Sequence, residues 1–150
     1  MKQLPFNILT KCIGWDKQQY YMKELTRTIL SGSKDEFLLI PDDDYNAAIN
    51  CYNKHKEAEE RLFRTAARNN AGIQLEKDGK TDEAIAVYED NIKDGYPAYH
   101  SFQRLMIIYR KRKEYDNEIR VIQRGMEVFA PNTAGFEARL AKVLKLKEKQ

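Results

Sequence analysis

"GKTDEAIAVYEDNIKDGYP", residues 79–97, carries one helix together with its start and stop signals. Gly79 suits the left-handed turn that ends a preceding helix, and Thr81 is a capping residue for the next. Asp82 and Glu83 place negative charge at the positive N-terminal end of that helix. Ile85, Tyr88 and Ile92 recur at helical spacing, which predicts a helix near 82–94 with these three facing inward. Gly95 suits a C-terminal cap, and Pro97, which cannot extend the hydrogen-bond ladder, can open the next helix.

The same phrase returns 34 residues downstream. Asp82 falls on Asp116, Ile85 on Ile119, Leu75 on Tyr109, Tyr88 on Ile122, Ile92 on Met126 and Pro97 on Pro131. Each unit reads as two helices. In the first unit, Ala67, Ala71 and Leu75 give an inward face to a helix over 65–78. In the second, Phe102, Leu105, Met106 and Tyr109 form the stripe of a helix near 98–112. Ile119, Ile122, Met126 and Phe129 form that of a helix near 116–129. Residues 133–148, "TAGFEARLAKVLKLKE", predict a closing helix in which Phe136 continues the Phe102 column and lysines keep the outer face wet.

These helix pairs resemble the tetratricopeptide repeat family. With Thr65 and Tyr99 as first positions, the family's small eighth residue is matched by Gly72 and replaced by Met106. The eleventh is matched by Leu75 and Tyr109, and the small twentieth by Ala84 but not by Glu118. The twenty-fourth is Tyr88 and Ile122, the small twenty-seventh becomes Asn91 and Gly125, and the proline comes one place late. The first unit is a fair match and the second a degenerate one. The resemblance implies an all-α fold of antiparallel helix-pair repeats, a TPR-like α-solenoid, with repeats near 65–98 and 99–132 inside a domain over 41–150. It also implies a concave groove lined at the second, fifth, ninth and twelfth positions. Those positions hold Ala66, Asn69, Ile73 and Glu76, then His100, Gln103, Ile107 and Arg110, with Arg104 beside them. A carboxylate clamp found in one subgroup uses lysine and asparagine at the fifth and ninth positions of the first unit. Asn69 and Ile73 stand there instead, so that clamp is not preserved. The ligand set is therefore Asn69, Ile73, His100, Gln103, Arg104, Ile107 and Arg110, and the expected ligand is a protein or peptide segment with an acidic feature.

Upstream, "PDDDYNAAINCYNKHKEAEERLF", residues 41–63, starts with a proline and three aspartates and contains no breaker. One long helix from about Asp42 into the first repeat follows from this, with Thr65 as the place for a kink. In residues 1–40, the N-terminal segment, Asp16 can cap a helix that turns Met22, Leu25 and Ile29 inward and ends at Gly32. "EFLLI", 36–40, fits a short strand or a buried connector equally well.

At 150 residues the chain can bury roughly two thirds of its unfolded surface in a core without staples. Cys12 and Cys51 lie far apart with no CxxC, so neither a disulfide framework nor a zinc site is expected. Adjacent helical carboxylates point apart, so Asp42, Asp43 and Asp44 read as helix N-terminal charge rather than a metal site. His55 and His100 lack a catalytic neighbourhood, and no nucleophile, acid pair or phosphate loop emerges. No enzyme, cofactor or metal is expected. The charge is lopsided, +2 over residues 1–40, −5 over 41–98 and +6 over 99–150. "YRKRKEY", 109–115, mixes tyrosines with Arg110 and Arg112, which makes a nucleic-acid accessory role through the basic C-terminal third the alternative function. No apolar run is long enough for a membrane span, and the start lacks a signal-type apolar core, so a cytoplasmic chain without membrane contact is expected. Two repeats leave a helix face that a second copy can cover, so a homo-oligomer is compatible with the pattern.

Overall fold

The computed structural model describes residues 1–13, 15–34 and 36–150. The side chains of Trp15, Asp16 and Gln18 lie outside the described residues, and with them the expected cap at Asp16. The described chain is all-α in class: β1 (Lys2–Pro5), α1 (Phe6–Cys12), α2 (Trp15–Leu30), β2 (Phe37–Ile40), α3 (Asp42–Lys77), α4 (Thr81–Asp94), α5 (Tyr99–Lys111), α6 (Tyr115–Phe129) and α7 (Ala134–Glu148). No described helix is long and apolar enough to cross a membrane. Two compact units emerge, Met1–Glu60 and Arg61–Gln150, so the division falls within α3 rather than at the expected residue 40.

In the first unit the last four residues of "EFLLI" form a strand. β2 pairs antiparallel with β1, Lys2 opposite Ile40 and Leu4 opposite Leu38. A two-stranded ribbon is marginal alone in water. Here it is covered: Leu4 and Ile40 are wholly buried with Ile8, Leu9, Tyr21, Leu25 and Ala48. Tyr45, Ile49 and Tyr52 of α3 pack on this cluster, which draws the start of α3 into the first unit. The inward face of α2 differs from expectation. Leu25 is buried, but Met22 and Ile29 are exposed and Tyr21 is buried instead. The Tyr21 hydroxyl donates to Asp44 at 2.5 Å, which turns the helix by about one position toward α3. That bond and burial push the Tyr21 phenol up to about 12, with burial the larger cause. Asp44 also takes the Lys17 ammonium, so the aspartate run serves the helix N-terminus and an ion pair together.

The second unit begins with Arg61 on α3. α4 packs against α5, α5 against α6, and α6 against α7. The core joins Ala84, Tyr88, Ile92, Phe102, Leu105, Met106, Tyr109, Val121, Ile122, Phe136 and Val143. Phe102, Phe129 and Phe136 meet with ring centroids 5.3–6.2 Å apart, extending the expected phenylalanine column into α7.

The 34-residue repeat extends to the backbone. Gly79 has φ +76° and Lys113, 34 residues on, has φ +59°. The Lys80 amide donates to the Leu75 carbonyl at 2.9 Å, and the Glu114 amide donates to that of Tyr109 at 2.9 Å. Both are the closing bonds of a left-handed helix end. Gly95 ends α4 in the same conformation, as expected. Thr81 is the first residue of α4 rather than its cap; Lys80 holds the cap position without a side-chain bond.

The inward face of α3 over 65–77 is not the expected alanine column. Ala67 and Ala71 are exposed, whereas Thr65 and Gly72 are buried and Arg68, Asn69, Ile73, Leu75 and Glu76 half-buried. Gly72 is where the fully buried Tyr88 ring lies against the helix; a Cβ there would fall 2.5 Å from Tyr88 Cζ. A bare backbone and polar side chains, with Leu75, make this contact.

Candidate functional site

The proposed ligand face begins at α3 and α5, and hydrogen bonds bind these helices side by side. Asn91 of α4 is buried, and its Nδ2 donates to the Thr65 carbonyl at 3.1 Å, to Asn69 Oδ1 at 3.0 Å and to Ser101 Oγ at 2.9 Å. Ser101 Oγ donates to Asn69 Oδ1 at 2.6 Å. A buried amide left without partners costs about 1–3 kcal/mol, so these contacts fix the register of α3, α4 and α5. Asn69 is thereby committed to the helix packing rather than free for a ligand.

One turn further along, Glu76 receives Arg104 through two bonds, Nε at 3.0 Å and Nη2 at 2.6 Å, and the Tyr88 hydroxyl at 2.8 Å. Arg104 is the main reason the Glu76 carboxyl is held below its ordinary range, and Glu76 raises the Arg104 guanidinium in return. His100 stands edge-on to Tyr88 with centroids 5.6 Å apart. Its Nε2 is buried without a hydrogen-bond partner among the described residues. Burial first, and Arg104 second, pull the His100 imidazole below its usual range, so the ring is neutral near pH 7. The cluster of Glu76, Tyr88, His100 and Arg104 is thus an ordered polar surface with one ring nitrogen unused.

Arg110 turns to the neighbouring pair. It grips Glu118 at 2.7 Å through both Nε and Nη2, and Arg139 of α7 reaches the same carboxylate at 2.8 Å. Glu118 is wholly buried at the position where the first repeat has the equally buried Ala84. The carboxylate is tolerable there only because two guanidiniums meet it. Ile73 and Ile107 are half-buried and Gln103 is exposed, leaving these three as unengaged members of the expected ligand set. Of the seven residues, Asn69, Arg104 and Arg110 hold the helices together, His100 is partly covered, and the apolar pair with Gln103 stays available.

Other cations are engaged as well. Arg112 donates to Asp82 at 2.8 Å, and Arg120 donates to Glu89 at 2.5 Å and 3.1 Å. Tyr109 and Tyr115, the aromatic partners in the basic stretch, are buried.

The first unit contains a constellation that sequence inspection missed. Cys12, Cys51 and His55 bring one sulfur, one sulfur and one ring nitrogen within 4.8 Å of one another. Burial is the main reason, and the Cys51 side chain the next, that the Cys12 thiol is pushed up to about 11. Half of the signal was present in the sequence: Cys51 and His55 are four apart, a spacing that stacks two side chains on one helix face. The other half is tertiary, because Cys12 ends α1 some forty residues away.

No protein-family model matches this chain, and neither a curated protein nor a solved structure matches it significantly.

Proposed function

We propose that residues 61–150 form a tetratricopeptide-type interaction module that takes a peptide or helical segment of a partner protein on the face containing Ile73, Gln103 and Ile107. The observation that carries this proposal is the recurrence, at one 34-residue offset, of both the helix pair and the left-handed turn inside it. Repeated helix pairs that stack in register generate an extended surface from their first helices. Here α3 and α5 are joined across that surface by Asn69 with Ser101 and by Glu76 with Arg104. The surface is pre-organised, so little side-chain entropy remains to be lost on binding. The two isoleucines supply apolar contact and the Gln103 amide a backbone-like hydrogen bond. A protein segment suits this face better than nucleic acid does, because Arg104, Arg110, Arg112 and Arg120 already hold carboxylates and the nearby tyrosines are buried.

The test is selection from a displayed peptide library on the immobilised full chain, followed by affinity measurement for the enriched peptides. Ile107→Asp and Gln103→Glu should each weaken binding by about ten-fold or more, the equivalent of roughly 1.4 kcal/mol. Gln123→Glu, on the exposed side of α6, should leave it unchanged. Circular dichroism verifies that each variant is folded. Peptides that bind both groove variants as well as the parent chain would place the ligand elsewhere.

A further inference from the structure

We propose that Cys12, Cys51 and His55 form a zinc site in the first unit, with two thiolates and one imidazole from the chain and water in the fourth position. Three ligand atoms that lie within 4.8 Å of one another share a point no more than about 2.8 Å from each. Zinc binds sulfur at about 2.3 Å and imidazole nitrogen at about 2.0–2.1 Å, so the ligands need to draw in by well under 1 Å.

The local structure supports the same assignment. Cys51 and His55 sit one turn apart on α3 and therefore project from one face. Cys12 closes α1, whose Ile8 and Leu9 are buried in the core of the unit, so the third ligand is carried on an anchored element. Cys12 itself packs against that core together with Ile13, giving the site one apolar wall. His55 is exposed, which leaves the opposite side open to water. Three protein ligands with an open fourth place are the arrangement of accessible zinc sites, whereas closed structural sites use four.

Charge favours a divalent ion. Two thiolates balance Zn²⁺, and the imidazole binds neutral, so the half-buried sulfurs are occupied without a net charge beside the apolar wall. Binding forms two Zn–S bonds and one Zn–N bond and releases both thiol protons to water. Softness of the donor set favours Zn²⁺ over Mg²⁺ or Ca²⁺, which prefer oxygen.

The experiment uses the full chain, purified with a chelator and kept reduced with a phosphine under anaerobic conditions. Zn²⁺ is titrated against a chromophoric competitor, and Co²⁺ serves as the spectroscopic probe. The expected result is one ion per chain, a near-ultraviolet thiolate-to-cobalt band, and visible ligand-field bands of tetrahedral intensity. Cys12→Ser and Cys51→Ser should each diminish the thiolate band. His55→Gln changes an exposed residue and leaves the core intact, so it remains informative if a cysteine variant fails to fold. It should weaken Zn²⁺ binding by more than the roughly 10–100-fold that loss of an outer-shell partner costs, and should shift the ligand-field bands. Zn²⁺ affinity and cobalt spectra unaltered by His55→Gln would overturn the site. So would a reduced chain that takes up no Zn²⁺ or Co²⁺.

Discussion

Gly72→Ala puts the helix contact that organises the second unit to a direct test. A methyl group at residue 72 would fall 2.5 Å from Tyr88 Cζ and 2.9 Å from Cδ1, with Cε1 nearer still. The ring has nowhere to go. Tyr88 is wholly buried, and its hydroxyl is fastened to Glu76 at 2.8 Å. Overpacking of this kind costs about 1–3 kcal/mol, and a rigid, fully enclosed ring places the cost near the top of that range. Alanine is the better helix former and returns about 1 kcal/mol. The net expectation is a loss of roughly 2 kcal/mol, or a fall in Tm of about 8–16 °C for a unit of this size. The assay is urea and thermal unfolding followed by circular dichroism, with Gly135→Ala as the companion variant. A Cβ at Gly135 meets nothing within 4 Å, so that change should be neutral or stabilise by up to about 1 kcal/mol. If Gly72→Ala proves as harmless as Gly135→Ala, Tyr88 does not rest on the α3 backbone, and the proposed alignment of α3 with α4 is wrong.

Glu118→Ala strands Arg110 and Arg139 beside a hole and should cost roughly 3 kcal/mol, whereas Asp82→Ala, which breaks an exposed pair with Arg112, should cost under about 1 kcal/mol. Chemical denaturation of both variants reads the contrast, and equal losses would contradict it. Lys113→Gly relieves a non-glycine residue at φ +59° and should stabilise by up to about 1 kcal/mol, measured by the urea midpoint. His100 has a folded pKa below its unfolded value of about 6.5, so as the pH falls the unfolded chain takes up the proton first. Its share of stability is present above that value and is lost as pH drops from about 6.5 toward the lowered folded pKa. Unfolding midpoints compared between about pH 7.5 and pH 5 should fall less in His100→Gln than in the parent chain.

What could be read in the sequence was whatever apolar spacing and turn chemistry control. The helix pairs and the terminations at Gly79 and Gly95 are of this kind, because each is set within a few residues of chain, and the continuation of the phenylalanine column to Phe136 follows from the 34-residue offset. The inward face of α3 was not legible. Thr65 and Gly72 are buried and Asn69 half-buried through hydrogen bonds and close backbone approach, and apolar periodicity gives such positions no weight, so it selected Ala67 and Ala71. Glu118 was illegible for the same reason: its burial depends on Arg110 from the helix before and Arg139 from the helix after, 21 residues away. The expected ligand set shows where the difference matters. Arg110 occupies a groove position by number and Arg104 stands beside one, yet carboxylates of the same unit hold both, and only the structure reveals which cations are spoken for. Lys113 shows the converse. The residue type at that position departs from Gly79, but the left-handed backbone and its closing hydrogen bond persist, so the turn is imposed by the packing of the two helices it joins rather than by the preference of the residue that makes it.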